Sequence, residues 1–195
     1  MNRKPRCIIV TGRAGSGKTT LARKLGELLW LPVISRDEIK EGYVNTYGVP
    51  HDQLPADTNR VVSDLFFRLV NEYLTGKVSV IIEAAFQLPV WESRLPAILE
   101  LASPVLVVCS VDPDVAAQRH LQRGLDNPER EFYHGDHRVT HYRRTGEILP
   151  PADYEVPMFD LPTIHVSTGG EYIPALEDVV MKLNVAPVPF DQPDD

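Results

Sequence analysis

The chain has 195 residues, of which 43% are hydrophobic and 24% are charged, and its formal net charge is −7. This size and composition are typical of a single soluble globular domain. The negative charge disfavours a protein that binds nucleic acid through a broad basic surface, although it leaves room for a local basic groove. No apolar run approaches the roughly 20 residues that span a bilayer, and the basic residues 1–6 lack the apolar stretch of a signal peptide. The sequence therefore predicts a cytoplasmic protein with no membrane partner.

The two cysteines, Cys7 and Cys109, each lie in an apolar, strand-like run. A free cysteine in this setting behaves as a small buried hydrophobic residue, as expected in a reducing compartment. The sequence contains no C-x-x-C pair and no His/Cys spacing typical of a zinc site. We therefore predict two buried free thiols.

The first predicted strand covers residues 7–11, and the first predicted helix covers residues 20–29, where leucines recur at helical spacing. Between them, residues 12–19 read GRAGSGKT, a complete match to the P-loop pattern G-x-x-x-x-G-K-[ST]. The alternative is a chance glycine-rich turn, but the strand before the motif and the helix after it provide the context that a triphosphate site requires. We predict that the chain binds a nucleoside triphosphate.

Each residue type in this motif has a physical role. The glycines let the backbone adopt unusual dihedral angles, so that its N–H groups approach phosphate oxygens. The N-terminus of the following helix adds further N–H groups and the positive end of its dipole. Lys18 supplies a point charge to the β- and γ-phosphates, and the Thr19 hydroxyl is placed to ligate Mg²⁺. The predicted nucleotide-binding residues are Gly12, Arg13, Ala14, Gly15, Ser16, Gly17, Lys18, Thr19 and Thr20.

Beyond the first helix, short apolar runs alternate with helical patterns. The apolar runs predict strands at residues 31–35, 78–82, 105–109 and 163–167. The helical patterns cover residues 57–74, 90–101 and about 173–184, and a further helix begins at Asp112-Pro113 with Asp112 as its N-cap. This alternation predicts βαβ units, and therefore a three-layer α/β fold around a five-stranded parallel sheet.

Residues 1–184 are predicted to form one domain. Residues 185–195 form a proline-rich, acidic tail that we expect to be extended or disordered. The large aromatic residues expected to be buried or half-buried are Trp30, Trp91, Phe66 and Phe67.

Two acidic residues follow predicted strands, at the edge of the sheet where ligands bind in such folds. Asp37 comes just after the second strand, where its carboxylate could accept the proton of an attacking hydroxyl. The alternative is a helix N-cap formed by Asp37 or Ser35, and we favour the catalytic role because of the position. Glu83 follows the third strand and could hold Mg²⁺ through water, polarise the acceptor or cap the turn; these interpretations stay open.

Arg119 and Arg123 are four residues apart on the helix after the fourth strand and so share a face. Their guanidinium groups could clamp the transferring phosphoryl group, or they could pair with acids on a solvated surface. Residues 119–146 are locally basic and interrupt the regular alternation, which predicts a lid that closes over the phosphates. Arg60 and Arg94 could each reach an anionic acceptor, although isolated arginines are more often surface residues.

Four segments, taken in chain order, carry a family resemblance. They are residues 12–19, Ser35-Arg36-Asp37-Glu38, Ile82-Glu83-Ala84-Ala85-Phe86 and Gln118-Arg119-His120-Leu121-Gln122-Arg123. On these segments, residues 6–183 resemble the small P-loop kinases of the AAA_33-type ATP-binding protein group. That group is similar to the kinase domain of phage polynucleotide kinase and to chloramphenicol phosphotransferase, and more distantly to gluconate and shikimate kinases and zeta toxins.

The resemblance implies a sheet in the order 2-3-1-4-5 and transfer of the γ-phosphoryl group of ATP to a hydroxyl. It also implies that Asp37 is the general base, that Arg119 and Arg123 lie on the lid helix, and that residues 167–170 contact adenine. Many relatives carry Asp at the end of the third strand, where this chain has Glu83, so the resemblance does not assign a role to Glu83.

The leading hypothesis is an ATP- and Mg²⁺-dependent phosphotransferase that acts on a hydroxyl of a small molecule. One alternative is a kinase that acts on the 5′ ends of nucleic acids, which the net charge of −7 weakens and the basic lid supports. Another is a nucleotide-dependent regulator without an acceptor, or an ATP-binding module without activity. The sequence identifies neither the acceptor nor an oligomeric state.

Overall fold

A computed structural model describes residues 3–185 as five strands and eight helices. The strands are β1 (Arg6–Thr11), β2 (Val33–Ser35), β3 (Val80–Glu83), β4 (Ser103–Ser110) and β5 (Thr163–Ser167). The helices are α1 (Lys18–Leu29), α2 (Arg36–Tyr47), α3 (Thr58–Thr75), α4 (Leu88–Leu101), α5 (Pro113–Asp126), α6 (Arg130–His134), α7 (Arg138–Thr145) and α8 (Leu176–Val185). A short 3₁₀ turn covers His51–Gln53. Apart from the backbone of its first residue, the predicted tail at residues 185–195 lies outside the described residues.

The five strands are parallel and form one sheet in the order β2-β3-β1-β4-β5. This order confirms the predicted fold class. Strand β1 lies at the centre, where Ile9 is opposite Ile82 on one side and Leu106 on the other. Because all strands run in the same direction, their carboxyl ends meet at one edge of the sheet, where the P-loop also lies.

Helices cover both faces of the sheet. On one face, α3 and α4 pack Phe66, Phe67 and Trp91 against the strands. On the other face, α1 contributes Leu21 and α8 contributes Leu183 to a second buried cluster. Burial of one such side chain stabilises the fold by about 1.5–3 kcal/mol. The two clusters fix the positions of the helices that carry the site.

Most predicted elements are present, but several begin or end elsewhere. Strand β2 begins at Val33 rather than at residue 31, and β3 covers Val80–Glu83 rather than residues 78–82. Helix α8 begins at Leu176 rather than near residue 173. Helix α1 begins at Lys18, so the last residues of the P-loop motif form its first turn.

The N-cap predicted for α5 is confirmed, because the Asp112 carboxylate accepts hydrogen bonds from the N–H groups of Asp114 and Val115 at 2.9 and 3.3 Å. Burial of Cys7 and Cys109 as free thiols is also confirmed. The prediction that Trp30 is at least half-buried is wrong, since it is 93% exposed. Trp30 ends α1 with a left-handed backbone (φ 56°), and at this reversal its side chain lies outside the core. Among residues 3–185, no helix is both long enough and apolar enough to cross a membrane.

Candidate functional site

The P-loop is held against the sheet by close backbone packing. Gly12 and Gly15 have φ values of 151° and 83°, in the range that residues other than glycine rarely adopt. A Cβ atom on Gly12 would lie 2.5 Å from the carbonyl oxygen of Cys109, and one on Gly15 would lie 2.2 Å from that of Ala116. The loop therefore approaches the backbones of β4 and α5 so closely that only glycine fits at these two positions.

Three buried polar residues connect α1 to the ends of β2 and β3. The Lys18 ammonium lies 3.5 Å from Glu83 Oε1, and these side chains are 8% and 1% exposed. The Ser35 hydroxyl donates a hydrogen bond of 2.8 Å to Glu83 Oε2. Within the part of the chain that the structure describes, Glu83 Oε1 accepts no hydrogen bond. The sequence did not reveal the role of Ser35, which was considered only as a helix cap.

A cavity of about 220 Å³ lies in front of the P-loop, and we call it the P-loop cavity. Its lining includes the first turn of α1, the start of α2, and two arginines of α5 and α6. The lining residues are Gly15, Gly17, Lys18, Thr19, Thr20, Arg23, Ser35, Asp37, Glu38, Glu41, Arg123 and Arg130. The cavity thus combines backbone N–H groups at a helix N-terminus with several cationic side chains, which is the chemistry that binds phosphate.

Asp37 lies at the junction of two cavities. Besides the P-loop cavity, it lines a cavity of about 620 Å³ between α3 and α4, which we call the α3/α4 cavity. Burial raises the pKa of the Asp37 carboxyl, but nearby basic side chains outweigh burial and lower the pKa overall. These side chains are Lys18, His134, Arg36 and Lys40. Asp37 is therefore ionised at neutral pH, as a proton acceptor must be.

Arg119 and Arg123 share a face of α5, as predicted, but they contact different surroundings. Both line a third cavity of about 620 Å³, the α5/α8 cavity, whose other walls include Thr168 and Tyr172. The Arg119 guanidinium donates hydrogen bonds to the carbonyl oxygens of Thr168 and Gly169 at 2.8 and 3.0 Å. Arg123 also lines the P-loop cavity, and burial lowers the pKa of its guanidinium. Of the two predicted clamp residues, Arg123 is the one that lines the cavity where phosphates would lie.

The predicted lid contains the two short helices α6 and α7, which polar contacts hold against α2 and the 3₁₀ turn. His134 Nε2 lies 2.8 Å from Glu41 Oε1, and His137 Nε2 lies 2.8 Å from Asp52 Oδ2. The buried Lys40 ammonium donates a hydrogen bond of 3.1 Å to the carbonyl oxygen of His134. Burial lowers the pKa of Lys40 to about 8. These contacts place the lid beside Asp37.

The segment between α7 and β5 crosses the carboxyl edge of the sheet. The Tyr154 hydroxyl lies 2.8 Å from Thr11 Oγ1, which itself donates to the carbonyl oxygen of Ala84 at 2.9 Å. Tyr154 is therefore the donor in the first of these hydrogen bonds. The Gln87 side chain donates to the carbonyl oxygen of Asp153 at 2.8 Å. Sequence reasoning did not predict Tyr154, Lys40 or Glu41 as site residues, because their partners are remote along the chain.

The residues at the P-loop also fit a magnesium ion. Mg²⁺ usually takes one or two protein oxygens together with phosphates and waters, so it does not require a cluster of acids. Residues 3–185 contain no group of three or more His, Cys, Asp or Glu side chains arranged to hold a metal. Thr19 lines the P-loop cavity, and the buried Glu83 oxygen without a hydrogen-bond donor provides an acceptor behind it. This set suits an ion that arrives with a nucleotide.

Comparisons with known proteins identify a family and a fold. The sequence profile of AAA_33, described as an AAA domain, matches residues 7–145. No curated protein matches the sequence. Among solved structures, the chain is similar to a protein described as a candidate kinase from Chloroflexus aurantiacus, with 22% identity and a TM-score of 0.76 over 93% of this chain and 98% of that one.

Two further structures have more distant sequences. A sugar kinase from Janibacter sp. is 18% identical with a TM-score of 0.59, over 94% of this chain and 96% of that one. A gluconokinase from Sinorhizobium meliloti is 17% identical with a TM-score of 0.55, over 94% of both chains. At these identities the similarity shows the fold, which is that of the P-loop kinases.

Proposed function

The chain belongs to the AAA_33 family, and on that premise we propose that it is an ATP-dependent phosphotransferase that moves the γ-phosphoryl group to a hydroxyl of a small molecule. The observation that carries this proposal is the position of Asp37, which lines both the P-loop cavity and the α3/α4 cavity. A carboxylate at this junction lies between a triphosphate in the first cavity and an acceptor in the second. A general base for phosphoryl transfer must lie there, within reach of the acceptor hydroxyl and close to the γ-phosphate.

The proposed step is an in-line displacement at the γ-phosphorus. The acceptor hydroxyl oxygen forms a bond to phosphorus while the bond from phosphorus to the β–γ bridging oxygen breaks, and ADP leaves. The hydroxyl proton passes to Asp37. Its lowered pKa keeps the carboxylate ionised before the step, and the P-loop amides hold the donor in position.

Cationic groups stabilise the charge that develops on the transferring group. Lys18 reaches the phosphates from the first turn of α1, and its contact with Glu83 restricts the ammonium to that side of the site. Thr19, with Glu83 behind it through water, would hold Mg²⁺, which supplies electrostatic stabilisation of the phosphate oxygens. These residues act on the donor, whereas Asp37 acts on the acceptor.

The two arginines of α5 have separate roles in this proposal. Arg123 lines the P-loop cavity, so it contacts the phosphates that bind there. The lid covers these phosphates. Arg119 binds the carbonyl groups of Thr168 and Gly169, and it therefore shapes the α5/α8 cavity, where the nucleoside part of ATP would bind. Thr168 and Gly170, from the predicted adenine segment at residues 167–170, line that same cavity.

A labelling assay tests the proposal. The protein is incubated with γ-labelled ATP and Mg²⁺ and with pooled acceptors: sugars, aminoglycosides, chloramphenicol, nucleosides and oligonucleotides with a free 5′ hydroxyl. Label on a small molecule supports the proposal. Label on the oligonucleotides alone, or hydrolysis of ATP that no acceptor stimulates, would contradict it.

The role of Asp37 is tested by Asp37→Asn, which preserves shape but removes the proton acceptor. We expect kcat to fall by about 10²–10⁴-fold, the usual contribution of a general base, while the affinity for ATP is retained. Asp160→Asn is a matched control, because Asp160 is exposed and lies in the segment before β5. Undiminished transfer by Asp37→Asn would show that another group accepts the proton.

A further inference from the structure

The arginines of the α3/α4 cavity are engaged by carboxylates. Arg60 donates hydrogen bonds to Asp64 Oδ2 at 3.3 Å and to Asp57 Oδ2 at 2.7 Å. Arg94, on α4, donates to the other oxygen of Asp64. One carboxylate of α3 therefore binds a guanidinium from its own helix and another from α4. The sequence leaves two interpretations of Arg60 and Arg94, contact with an anionic acceptor or a surface position, and in the structure both pair with carboxylates.

The third arginine of the cavity is also matched by an acid. The Arg36 side chain is 14% exposed, and its guanidinium lies 3.6 Å from Asp37 Oδ1. It donates hydrogen bonds to the carbonyl and side-chain oxygens of Asn59 at 3.3 and 2.8 Å. Among the described residues, the positive charges of the cavity are thus balanced by Asp37, Asp57 and Asp64. An anionic acceptor would gain little attraction here unless it displaced one of these carboxylates.

Two serine hydroxyls of the cavity also favour an uncharged ligand over an anion. Ser63 donates its hydroxyl proton to the carbonyl oxygen of Asn59 at 2.7 Å, and Ser93 donates to that of Val90 at 2.8 Å. Gln87 uses one N–H of its amide on the carbonyl oxygen of Asp153 and keeps the other N–H and its side-chain oxygen. The two serine hydroxyls consequently present lone pairs to a ligand. Lone pairs accept hydrogen bonds from hydroxyl groups, whereas a carboxylate or phosphate ester offers acceptors only.

The remaining wall is apolar. It is formed by Ala85, Phe86, Pro89 and Val90. A wall of this kind packs against the C–H groups of a ring or chain. The volume of about 620 Å³ is within the range for small-molecule sites.

We propose that Asp64 is a specificity-determining residue that makes the α3/α4 cavity select an uncharged polyhydroxyl acceptor over an acceptor bearing a carboxylate or phosphate. This inference rests on the proposed function, because it takes the α3/α4 cavity as the acceptor site. Asp64 acts by occupying Arg60 and Arg94 together. Replacing it with a neutral side chain removes the carboxylate partner of Arg94 and one of the two partners of Arg60, which stays paired with Asp57. The guanidinium of Arg94 then becomes available for an anion in the cavity.

The first experiment needs no known acceptor. With the triphosphate site saturated by Mg²⁺ and AMP-PNP, thermal unfolding is measured while inorganic phosphate is titrated at constant ionic strength. We expect no saturable stabilisation of the wild type up to the highest phosphate concentration used. Asp64→Asn should show saturable stabilisation with a dissociation constant at least about tenfold below that concentration. Asp64→Ser provides a second neutral replacement should the first fail to fold.

Two further variants locate the effect. Adding Arg94→Gln to Asp64→Asn should abolish the gained phosphate site, because the guanidinium that the first substitution leaves without a carboxylate partner is then lost. Glu72→Gln is the matched control: Glu72 lies exposed on the same helix, outside the cavity lining, and its replacement makes the same change in charge. Saturable phosphate binding by the wild type in this cavity, or no gain in either Asp64 variant, would overturn the proposal.

The second experiment compares two forms of an acceptor found by labelling, one uncharged and one bearing a carboxylate. Methyl glucuronate and glucuronate are such a pair. The wild type should favour the uncharged member, and Asp64→Asn should shift the ratio of kcat/KM toward the anion by about tenfold. Preference of the wild type for the anion would refute the inference while leaving the phosphotransferase activity established. Absence of transfer to every compound would refute the proposed function, and the phosphate titration would still report on the charge balance of the cavity.

Discussion

The P-loop and the lid face each other across the P-loop cavity, but different forces hold them. The P-loop lies between consecutive elements, and the backbones of β4 and α5 leave no space for a side chain at Gly12 and Gly15. The lid helices α6 and α7 are held by histidine–carboxylate contacts and hydrogen bonds to α2 and the 3₁₀ turn, most of them partly exposed. We therefore expect steric packing to keep the first region rigid and polar contacts to let the second respond to ligand and pH.

This difference suits a phosphotransferase. The donor must be held in one geometry for in-line attack, which a loop fixed by backbone packing provides. The acceptor must enter and the product must leave, which requires a cover whose contacts are individually weak. Substitutions in the P-loop should therefore abolish nucleotide binding outright, whereas substitutions in the lid should change stability and turnover gradually.

The largest effect is expected from Lys18→Ala. This variant removes the ammonium that we propose binds the phosphates, and it leaves Glu83 buried without its cation. We expect the affinity for ATP to fall sharply and the rate of transfer to fall by about 10²–10³-fold. Isothermal titration and the labelling assay measure the two effects. Lys182→Ala, an exposed position on α8, serves as the control, and normal ATP affinity in Lys18→Ala would show that the loop does not hold the phosphates.

Gly15→Ala tests whether steric packing fixes the P-loop. The new Cβ would lie 2.2 Å from the Ala116 carbonyl oxygen, so loop and α5 must separate, and we expect ATP binding to be lost. Gly48→Ala is a matched control, since its φ of 66° is also left-handed while no described atom lies within 4 Å of the added Cβ. The control should lose only about 1–2 kcal/mol of stability from backbone strain. Equal ATP affinity of the two variants would show that ATP binding does not depend on close packing at Gly15.

The same contrast explains how much the sequence could predict. The P-loop and α5's N-cap are encoded in short contiguous motifs, and the alternation of apolar runs with helical patterns indicated the parallel sheet. The hydrogen bonds from Lys40 to His134 and between Tyr154 and Thr11 join residues 94 and 143 positions apart. No local sequence pattern predicts such pairs. The exposure of Trp30 was missed for a related reason, because an apolar ring after a helix does not show that the chain reverses there.

Tyr154→Phe tests a contact between the segment before β5 and the start of the P-loop. It removes a hydroxyl that donates a hydrogen bond of 2.8 Å to Thr11, and Thr11 keeps its own bond to the Ala84 carbonyl. We expect the free energy of unfolding to fall by about 1 kcal/mol and KM for ATP to rise slightly. Denaturant unfolding measures the first quantity, with Tyr73→Phe on the surface of α3 as the control. A loss as large as that of Lys18→Ala in ATP affinity would mean that this segment, too, holds the P-loop rigid.

The smallest effect concerns the lid and depends on pH. The hydrogen bond from His134 lowers the pKa of the Glu41 carboxyl, and the charge interactions with His134 and Arg130 lower it further against the effect of burial. A carboxyl whose pKa is lower in the folded state than in the unfolded state stabilises the fold above its unfolded pKa of about 4.3. That stabilisation is lost as the pH falls through the lower, folded-state pKa.

Glu41→Gln should therefore be less stable than the wild type by about 0.5 kcal/mol near pH 6, a value appropriate to a contact that is partly exposed. The difference should shrink as the pH is lowered below about 4.3, because the wild-type carboxyl becomes protonated. Denaturant unfolding from pH 6 to pH 3 measures it, with Glu100→Gln on the surface of α4 as the control. A difference that does not change with pH would show that Glu41 holds the lid by packing rather than by its charge. The lid would then be held, like the P-loop, mainly by steric contacts.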